Sequence, residues 1–166
     1  DLGTLGGVRS DAHAINDSGQ IVGTAWTAKG EPHAFLYDSG IMIDLGMPGG
    51  SSSVNDRSSA LDINNKGQIV GQYTANELRA FLYENGQIVD LNSFLPDNSD
   101  WTLVTANAIN DVGQIVGVGH ISGKSRAFLL SPISEPLSEP LTLALMTIGL
   151  AGLRVSRQRT AQQKLR

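Results

Sequence analysis

The hydrophobic positions of this chain come in short runs separated by Gly, Asn and Asp. In the middle of the chain such runs cover 60–63, 68–73, 80–83 and 87–91, and they are rich in Ile, Val, Phe, Tyr and Leu. Runs of this length and composition, bounded by turn residues, are typical of β-strands. The pattern therefore predicts a meander of four short strands.

The same pattern occurs three times along the chain. The segments AINDSGQIVG, DINNKGQIVG and AINDVGQIVG contain Gly19, Gly67 and Gly113 at matching positions, 46 to 48 residues apart. Each segment is followed by HAFLY, RAFLY or RAFLL, so the similarity extends over nearly all of 1–132. Periods of this size are typical of propellers and related arrays.

The repeated Asn and Gly residues fit hairpin corners. Asn and Asp side chains can hydrogen-bond their own backbone, and Gly readily adopts a positive φ. A catalytic motif usually occurs once in a chain. The threefold occurrence of this turn motif therefore indicates an architectural role. We therefore predict a structural turn role for eight residues: Asn16, Asp17, Gly19, Asn64, Gly67, Asn110, Asp111 and Gly113.

A second set of glycines lies inside predicted strands, at Gly23, Gly71 and Gly117. Glycine inside a strand often marks a bulge or the close approach of another backbone. We expect these positions to lie where neighbouring repeat units pack together.

These patterns predict an all-β fold with a β-propeller-like array of three four-stranded antiparallel units. The array occupies 1–132, and its units cover about 8–50, 51–98 and 99–132. Closed propellers usually have about four to eight blades. Three units therefore indicate a fragment of a larger propeller.

The first seven residues resemble the end of a unit, because DLGTLGG at 1–7 matches DLGMPGG at 44–50. We interpret 1–7 as the end strand of a preceding unit. The alternative is that this strand completes the last unit of the same chain, which stops at AFLLSP.

The combined pattern AINDxGQIVG, HAFLY and DLG resembles the HAF repeat family of extracellular bacterial proteins, named after the tripeptide His33-Ala34-Phe35. The other two units have Arg79 and Arg126 in place of His33. This exchange argues against a metal-binding or catalytic histidine, because Arg cannot take over either role. The resemblance implies a secreted repeat protein without enzymatic activity.

The composition changes after Pro132. Residues 133–140 are predicted to be a linker, 141–153 are apolar except for two threonines, and the remainder up to 166 is basic. An apolar helix over 141–153 would be roughly 20 Å long, which is shorter than the ~30 Å hydrocarbon core of a bilayer. The basic block would favour the cytoplasmic side, leaving the repeats on the other side.

A Glu-Pro pair, an apolar helix and a terminal Arg cluster, in this order, resemble the PEP-CTERM sorting signal that exosortases process in Gram-negative bacteria. The matching residues are Ser138, Glu139, Pro140, Arg154, Arg157 and Arg159. Ser138 stands where that family usually has Pro. The resemblance implies export, transient or lasting membrane anchoring through 141–153, cleavage by an exosortase near the Glu-Pro pair, and release or attachment at the cell surface. The alternative is a core or amphipathic helix with a solvated basic end.

Composition excludes several classes of site. The chain has no Cys, so disulfides, Cys-ligated zinc and thiol nucleophiles are excluded. Five of its 12 basic residues lie in 154–166, which has no acid, so the other seven stand against all 16 acidic residues. A body this acidic repels phosphates, and we expect no nucleic-acid partner.

Carboxylates recur with the repeat, notably Asp17, Asp62 and Asp111, and could in principle bind calcium. The ligand set is too short for a calcium loop, and Lys66 in the second copy would oppose a cation. We therefore expect no metal, no cofactor and no catalytic residue.

The leading functional prediction is a secreted or cell-surface, non-enzymatic repeat protein in adhesion or in an extracellular matrix or biofilm, with polysaccharide as a candidate partner. The alternative is an extracellular carbohydrate-binding or carbohydrate-active propeller. Such an enzyme needs two carboxyl groups about 5 to 9.5 Å apart, and the acids outside the repeat pattern are Asp97, Asp100 and Glu31. Trp26 and Trp101 could stack on a sugar ring if they shared one rim.

Overall fold

The computed structural model describes residues 1–50, 56–133 and 153–155. Within them the chain forms three four-stranded sheets, in which strands that follow one another in the chain pair antiparallel. We number the sheets 1 to 3 and refer to the corresponding parts of the chain as units 1 to 3. The predicted all-β fold with three antiparallel sheets is confirmed.

Sheet 1 consists of β1 (Gly6–Ile15), β2 (Ile21–Thr27), β3 (Pro32–Asp38) and β4 (Ile41–Gly46). Sheet 2 consists of β5 (Arg57–Ile63), β6 (Ile69–Thr74), β7 (Leu78–Glu84) and β8 (Gln87–Asp90). Sheet 3 consists of β9 (Trp101–Ile109), β10 (Ile115–Ile121), β11 (Lys124–Pro132) and β12 (Leu153–Val155). Two short 3₁₀ segments, Pro48–Gly50 and Leu91–Phe94, follow the fourth strands of sheets 1 and 2.

The sheets pack face to face in chain order. The first strand of each later unit crosses the preceding sheet, so β5 contacts β1, β2 and β3, and β9 contacts β5, β6 and β7. Sheet 2 is therefore covered on both faces. Successive side chains along its strands point to opposite faces. Ile69 and Phe81 therefore pack toward sheet 1, whereas Val70 and Leu82 pack toward sheet 3.

The glycines inside the strands make room within a sheet. A Cβ on Gly23, Gly71 or Gly117 would clash with a backbone carbonyl of the first strand of the same sheet and with the Phe side chain of the third strand. The first strand of each sheet has a register shift close to this point. The expected close approach exists, but the approaching backbone belongs to the adjacent strand of the same sheet and not to a neighbouring unit.

Two predictions concern the ends of the chain. Gly6 and Gly7, which we assigned to a preceding unit, open β1 of sheet 1, and Leu5 forms a single parallel bridge to Thr27. Most of the predicted linker at 133–140 lies outside the described residues.

The predicted helix at 141–153 also lies outside the described residues, except for its last residue. Leu153 begins β12 and is not helical, because the free edge of β11 offers backbone hydrogen-bonding groups that pair with a strand. Of the proposed sorting residues only Arg154 is described, opposite Ser131. Among the described residues, no helix combines the length and apolar character needed to cross a membrane.

Candidate functional site

The turn after the first strand of each unit is held by one asparagine side chain. In unit 1, Asn16 Oδ1 accepts hydrogen bonds from the backbone N–H groups of Ser18 (3.1 Å) and Gln20 (3.0 Å). The carbonyl of Asn16 accepts a bond from the N–H of Gly19 at 3.0 Å, and Gly19 has a φ of 78°, which favours glycine. The corresponding turns of units 2 and 3 have the same bonds.

The same asparagines also join one unit to the next. Asn16 Nδ2 donates to Gln20 Oε1 in its own turn at 2.8 Å and to the carbonyl of Asn64 at 3.1 Å. Asn64 Nδ2 donates in turn to the carbonyl of Asn110 at 3.0 Å. Asn16 and Asn64 are buried, with 8% and 4% of their surface exposed, whereas Asn110 is exposed. We call these three residues the asparagine ladder.

A second row of side chains runs beside the ladder and alternates in charge. Asn65 lies between Asp17 and Asp111, and its Nδ2 donates to Asp17 Oδ2 at 2.8 Å and to Asp111 Oδ2 at 3.0 Å. The backbone N–H of Asp17 donates to Asn65 Oδ1 (2.9 Å), and that of Asn65 donates to Asp111 Oδ1 (2.8 Å). The neutral amide therefore separates two carboxylates that would otherwise repel each other.

The repeated glutamine after each turn ties the first corner of the unit to its third strand. Each Gln accepts from the ladder asparagine through Oε1 and donates through Nε2 to a residue at the end of that strand. The donor and acceptor pairs are Gln20 with Asp38 (3.0 Å), Gln68 with Glu84 (2.7 Å) and Gln114 with Ser131 (3.4 Å). The bond from Gln20, together with one from Ser39, lowers the pKa of Asp38.

The residue before Ala-Phe binds an aspartate at the end of the fourth strand. His33 Nδ1 lies 2.9 Å from Asp44 Oδ2, and Arg79 forms the equivalent ion pair with Asp90 at 3.2 Å. The hydrogen bond to Asp44 raises the pKa of His33 against the effect of burial. Burial would raise the pKa of Asp44, but hydrogen bonds from His33 and from the Gly46 N–H outweigh it and lower that pKa. His33 and Arg79 thus occupy equivalent positions, and each pairs with the aspartate of the fourth strand of its own sheet.

A cleft of about 360 Å³ opens between sheets 1 and 2. Its lining includes Trp26, His13, Arg57 and Tyr73. His13 Nδ1 lies 2.7 Å from the carbonyl of Ala60, so Nδ1 carries the proton of that bond. Burial, followed by the charge of Asp90, raises the pKa of Tyr73 to about 12, so its hydroxyl stays protonated at neutral pH.

The Trp26 ring in this cleft is partly covered by an arginine side chain. The Arg9 guanidinium lies 5.1 Å from the centroid of the Trp26 ring, within cation–π range, and it also pairs with Asp11 at 2.8 Å. The lining therefore combines an aromatic face with hydrogen-bonding and charged groups. Sequence reasoning singled out Trp26 but not His13 or Tyr73, because those residues meet only when the sheets pack.

A family described as protein of unknown function (DUF3466) matches residues 7–129. The chain belongs to this family. No curated protein and no solved structure matches it. The matched range of DUF3466 runs from β1 into β11 and contains all three ladder turns.

In this DUF3466 chain the acids considered for an enzyme do not gather in the cleft. Asp97 and Asp100 are exposed in the loop before β9, and Glu31 lies in the turn between β2 and β3. The two tryptophans are also separate, because Trp101 packs against the core between sheets 2 and 3, whereas Trp26 lines the cleft between sheets 1 and 2. No group of three metal-ligating side chains occurs in the described part of the chain.

Proposed function

We propose that this chain is a non-enzymatic repeat module of a secreted or cell-surface protein that acts in adhesion or in an extracellular matrix, and that its three sheets are successive units of a propeller-like array. The observation that carries this proposal is the use of the repeated polar residues. The side-chain amides of Asn16 and Asn64 donate hydrogen bonds within their own turn and to the next unit. Side chains engaged in this way hold the array together and have no free group with which to act on a substrate.

The array geometry supports the propeller-like part of the proposal. Each sheet has four antiparallel strands, and its first strand packs across the preceding sheet. Repetition of this contact every 46 to 48 residues places equivalent residues in register, as the inter-unit bonds from Asn16 and Asn64 illustrate. Radial repetition of such sheets is how propellers protect their strand edges.

The proposed location rests on two resemblances in the sequence. The repeats resemble the extracellular HAF family, and the segment from Ser138 to the basic end resembles a PEP-CTERM signal. On this proposal an exosortase cleaves near Glu139 and Pro140 after export, and the released or anchored module meets extracellular polysaccharide or other matrix components.

The test is to measure intact mass and location of the protein, exported from a Gram-negative host with and without an exosortase. The proposal predicts loss of a piece that begins near Glu139, only when the enzyme is present. Changing Glu139 and Pro140 to Ala should abolish cleavage. The matched control changes Glu135 and Pro136, the earlier Glu-Pro pair, and should leave it intact. An uncut protein that stays in the cytoplasm would contradict the proposed location.

A second candidate function is carbohydrate binding in the cleft between sheets 1 and 2. It is favoured by the combination of the Trp26 ring with the neighbouring polar groups of His13, Arg57 and Tyr73, because aromatic faces with convergent polar groups suit sugar rings. Titration calorimetry against a set of bacterial polysaccharides tests it. Trp26→Ala should abolish binding, whereas Trp101→Ala should retain it, and equal loss in both variants would contradict a site in this cleft.

A further inference from the structure

The outer face of sheet 3 exposes positions that are buried in the other two units. Val116 on β10 and Leu129 on β11 are cross-strand neighbours and are 44% and 37% exposed. Their equivalents are 0% and 9% exposed in unit 1 (Val22, Leu36) and 0% and 8% in unit 2 (Val70, Leu82), where the next unit covers them. The next residue pair on this face, Val118 and Ala127, is also exposed. Sheet 3 therefore presents the face that normally receives a following unit.

The outer face of sheet 1 exposes the opposite half of the same contact. Ile15 is 64% exposed, whereas its equivalents Ile63 and Ile109 are 5% and 8% exposed because they pack on the preceding sheet. Ala12 is exposed as well, although Ala60 and Ala106, its equivalents, are fully buried. The exposed apolar area on this face is small, because Phe35 and Ala25 of the same sheet are buried.

The two ends of the asparagine ladder are complementary in hydrogen bonding. Among the described residues, Asn110 Nδ2 donates only to Gln114 of its own turn, so one N–H of this exposed amide is open. At the other end, the carbonyl of Asn16 accepts from Gly19 of its own turn, whereas those of Asn64 and Asn110 also accept from the preceding asparagine. One donor and one acceptor thus remain, at opposite ends of the array.

The edge of β11 is also complementary to the other end of the array, both in charge and in strand pairing. Arg126 occupies the position of His33 and Arg79, but its side chain donates only to the carbonyl of Ser125, and it has no carboxylate partner among the described residues. β12 pairs with Leu130–Pro132, and among the described residues no strand pairs with β11 beside Phe128. In the other sheets the equivalent edge pairs with the fourth strand, which brings its aspartate into place.

Residues 1–3 have the sequence and local geometry of the strand end that carries the aspartate in sheet 1. Asp1-Leu2-Gly3 repeats Asp44-Leu45-Gly46. The N–H of Gly3 donates to Asp1 Oδ1 at 2.9 Å, as the N–H of Gly46 donates to Asp44 Oδ1 at 2.8 Å. A carboxylate suited to Arg126 is therefore exposed at the opposite end of the array.

We propose that the outer face of sheet 3 binds the outer face of sheet 1 of a second copy of this chain, head to tail. In this contact Ile15 of one copy packs on Val116 and Leu129 of the other, Asn110 donates to the carbonyl of Asn16, and Asp1 pairs with Arg126. A second copy is the occupant because its sheet 1 carries Ile15 and the Asn16 carbonyl, the equivalents of the isoleucines and asparagine carbonyls that form the two internal interfaces. Such heterologous contacts close into a ring or extend into a filament.

One feature of the junction opposes binding. Inside the array Asn65 separates Asp17 from Asp111, but at the junction Asp111 of one copy meets Asp17 of the other without an amide between them. Like charges at this separation repel, and salt screens the repulsion. Salt also screens the attraction between Asp1 and Arg126, so the variant Asp17→Asn is the sharper test. It removes one of the two adjoining carboxylates and should strengthen association about fivefold, which corresponds to roughly 1 kcal/mol.

The experiment is sedimentation velocity of the full chain over a range of concentrations. Ile15→Lys and Val116→Lys should each remove self-association, since each places a charge in one half of the contact. Mixing the two variants should restore a one-to-one complex through the two faces left intact. Ile41→Lys is the matched control, because Ile41 is also 64% exposed and its equivalent, Gln87, is an exposed polar residue.

The outcomes separate head-to-tail binding from other contacts. Association that is lost in Val116→Lys but not in Ile15→Lys would indicate a symmetric contact between two copies of sheet 3 and would overturn the proposal. Association that persists in both variants would place the contact elsewhere in the chain, and a monomer at all concentrations, with Asp17→Asn included, would also overturn it. Circular dichroism of each variant establishes that the sheets remain folded.

Discussion

Units 2 and 3 contain the same turn in two different surroundings. In both units, the side chain of an asparagine accepts a hydrogen bond from a backbone N–H of its own turn and donates one to the side chain of a glutamine. Asn64 is buried and donates to the next unit, whereas Asn110 is exposed and makes no such bond within the described residues. The difference shows that the turn is a local property of the sequence, while its contribution to holding the array depends on a neighbour. The repeat thus supplies its own matched controls.

The largest expected difference between these units lies in the apolar contacts. Leu82→Ala removes a side chain that is buried between sheets 2 and 3 and should lower the free energy of unfolding by about 3 kcal/mol. Leu129→Ala, at the equivalent exposed position, should cost about 1 kcal/mol. Urea denaturation of both variants measures the difference. Equal costs would mean that the outer face of sheet 3 is covered in solution.

A smaller effect is expected where the row beside the ladder alternates in charge. Asn65→Asp places a third carboxylate between Asp17 and Asp111 and removes both amide donations, which should cost about 1 to 2 kcal/mol at low salt. The loss should shrink as salt is added. Asn76→Asp is the control, because Asn76 is exposed and should tolerate the charge. A loss in Asn65→Asp that does not respond to salt would argue against carboxylate repulsion as its cause.

The smallest expected effect is a pH dependence that unit 1 has and unit 2 lacks. Because the folded-state pKa of His33 is raised above 6.5, its stabilising contribution is complete below that pH and is lost as pH rises through the raised pKa. Because the pKa of Asp44 is lowered, its contribution exists above 3.8 and is lost as pH falls through the lowered pKa. The pair therefore stabilises most between these limits, by no more than about 1 kcal/mol at this partly exposed site.

Comparing the unfolding free energies of wild type and His33→Gln between pH 4 and 9 measures this contribution. The difference between the two should decline above neutral pH. Arg79→Gln is the matched variant, since the pKa of Arg79 is raised and its guanidinium keeps its charge across this range. A decline of the same size for Arg79→Gln would rule out His33 titration as the cause.

Much of the fold follows from local sequence. The four strands of unit 2 agree closely with the apolar runs, because strand periodicity and turn chemistry act over a few residues. The inter-unit bonds do not follow in this way, because the carbonyl that accepts from Asn16 is 48 residues away and is brought there by sheet packing. The convergence of His13 and Tyr73 on one cleft was missed for the same reason.

Two features of the site left a signal in the aligned repeats. Asn65 stands between Asp17 and Asp111 at one repeat position, which matches an amide that separates two carboxylates. His33 and Arg79 are each followed by an aspartate eleven residues later, the spacing of their ion pairs. Comparing equivalent positions as a stack, and not each copy by itself, would have predicted both contacts.

The central claim is that the asparagine ladder holds neighbouring units together, and the most direct test is the cost of Asn16→Ala, Asn64→Ala and Asn110→Ala measured by urea denaturation. All three variants lose the same bonds within their turns, but only the first two lose a bond to another unit and a buried position. We predict that Asn16→Ala and Asn64→Ala each cost about 1 to 2 kcal/mol more than Asn110→Ala. Equal costs in all three variants would contradict the claim and would mean that the repeated asparagine stabilises only its own turn.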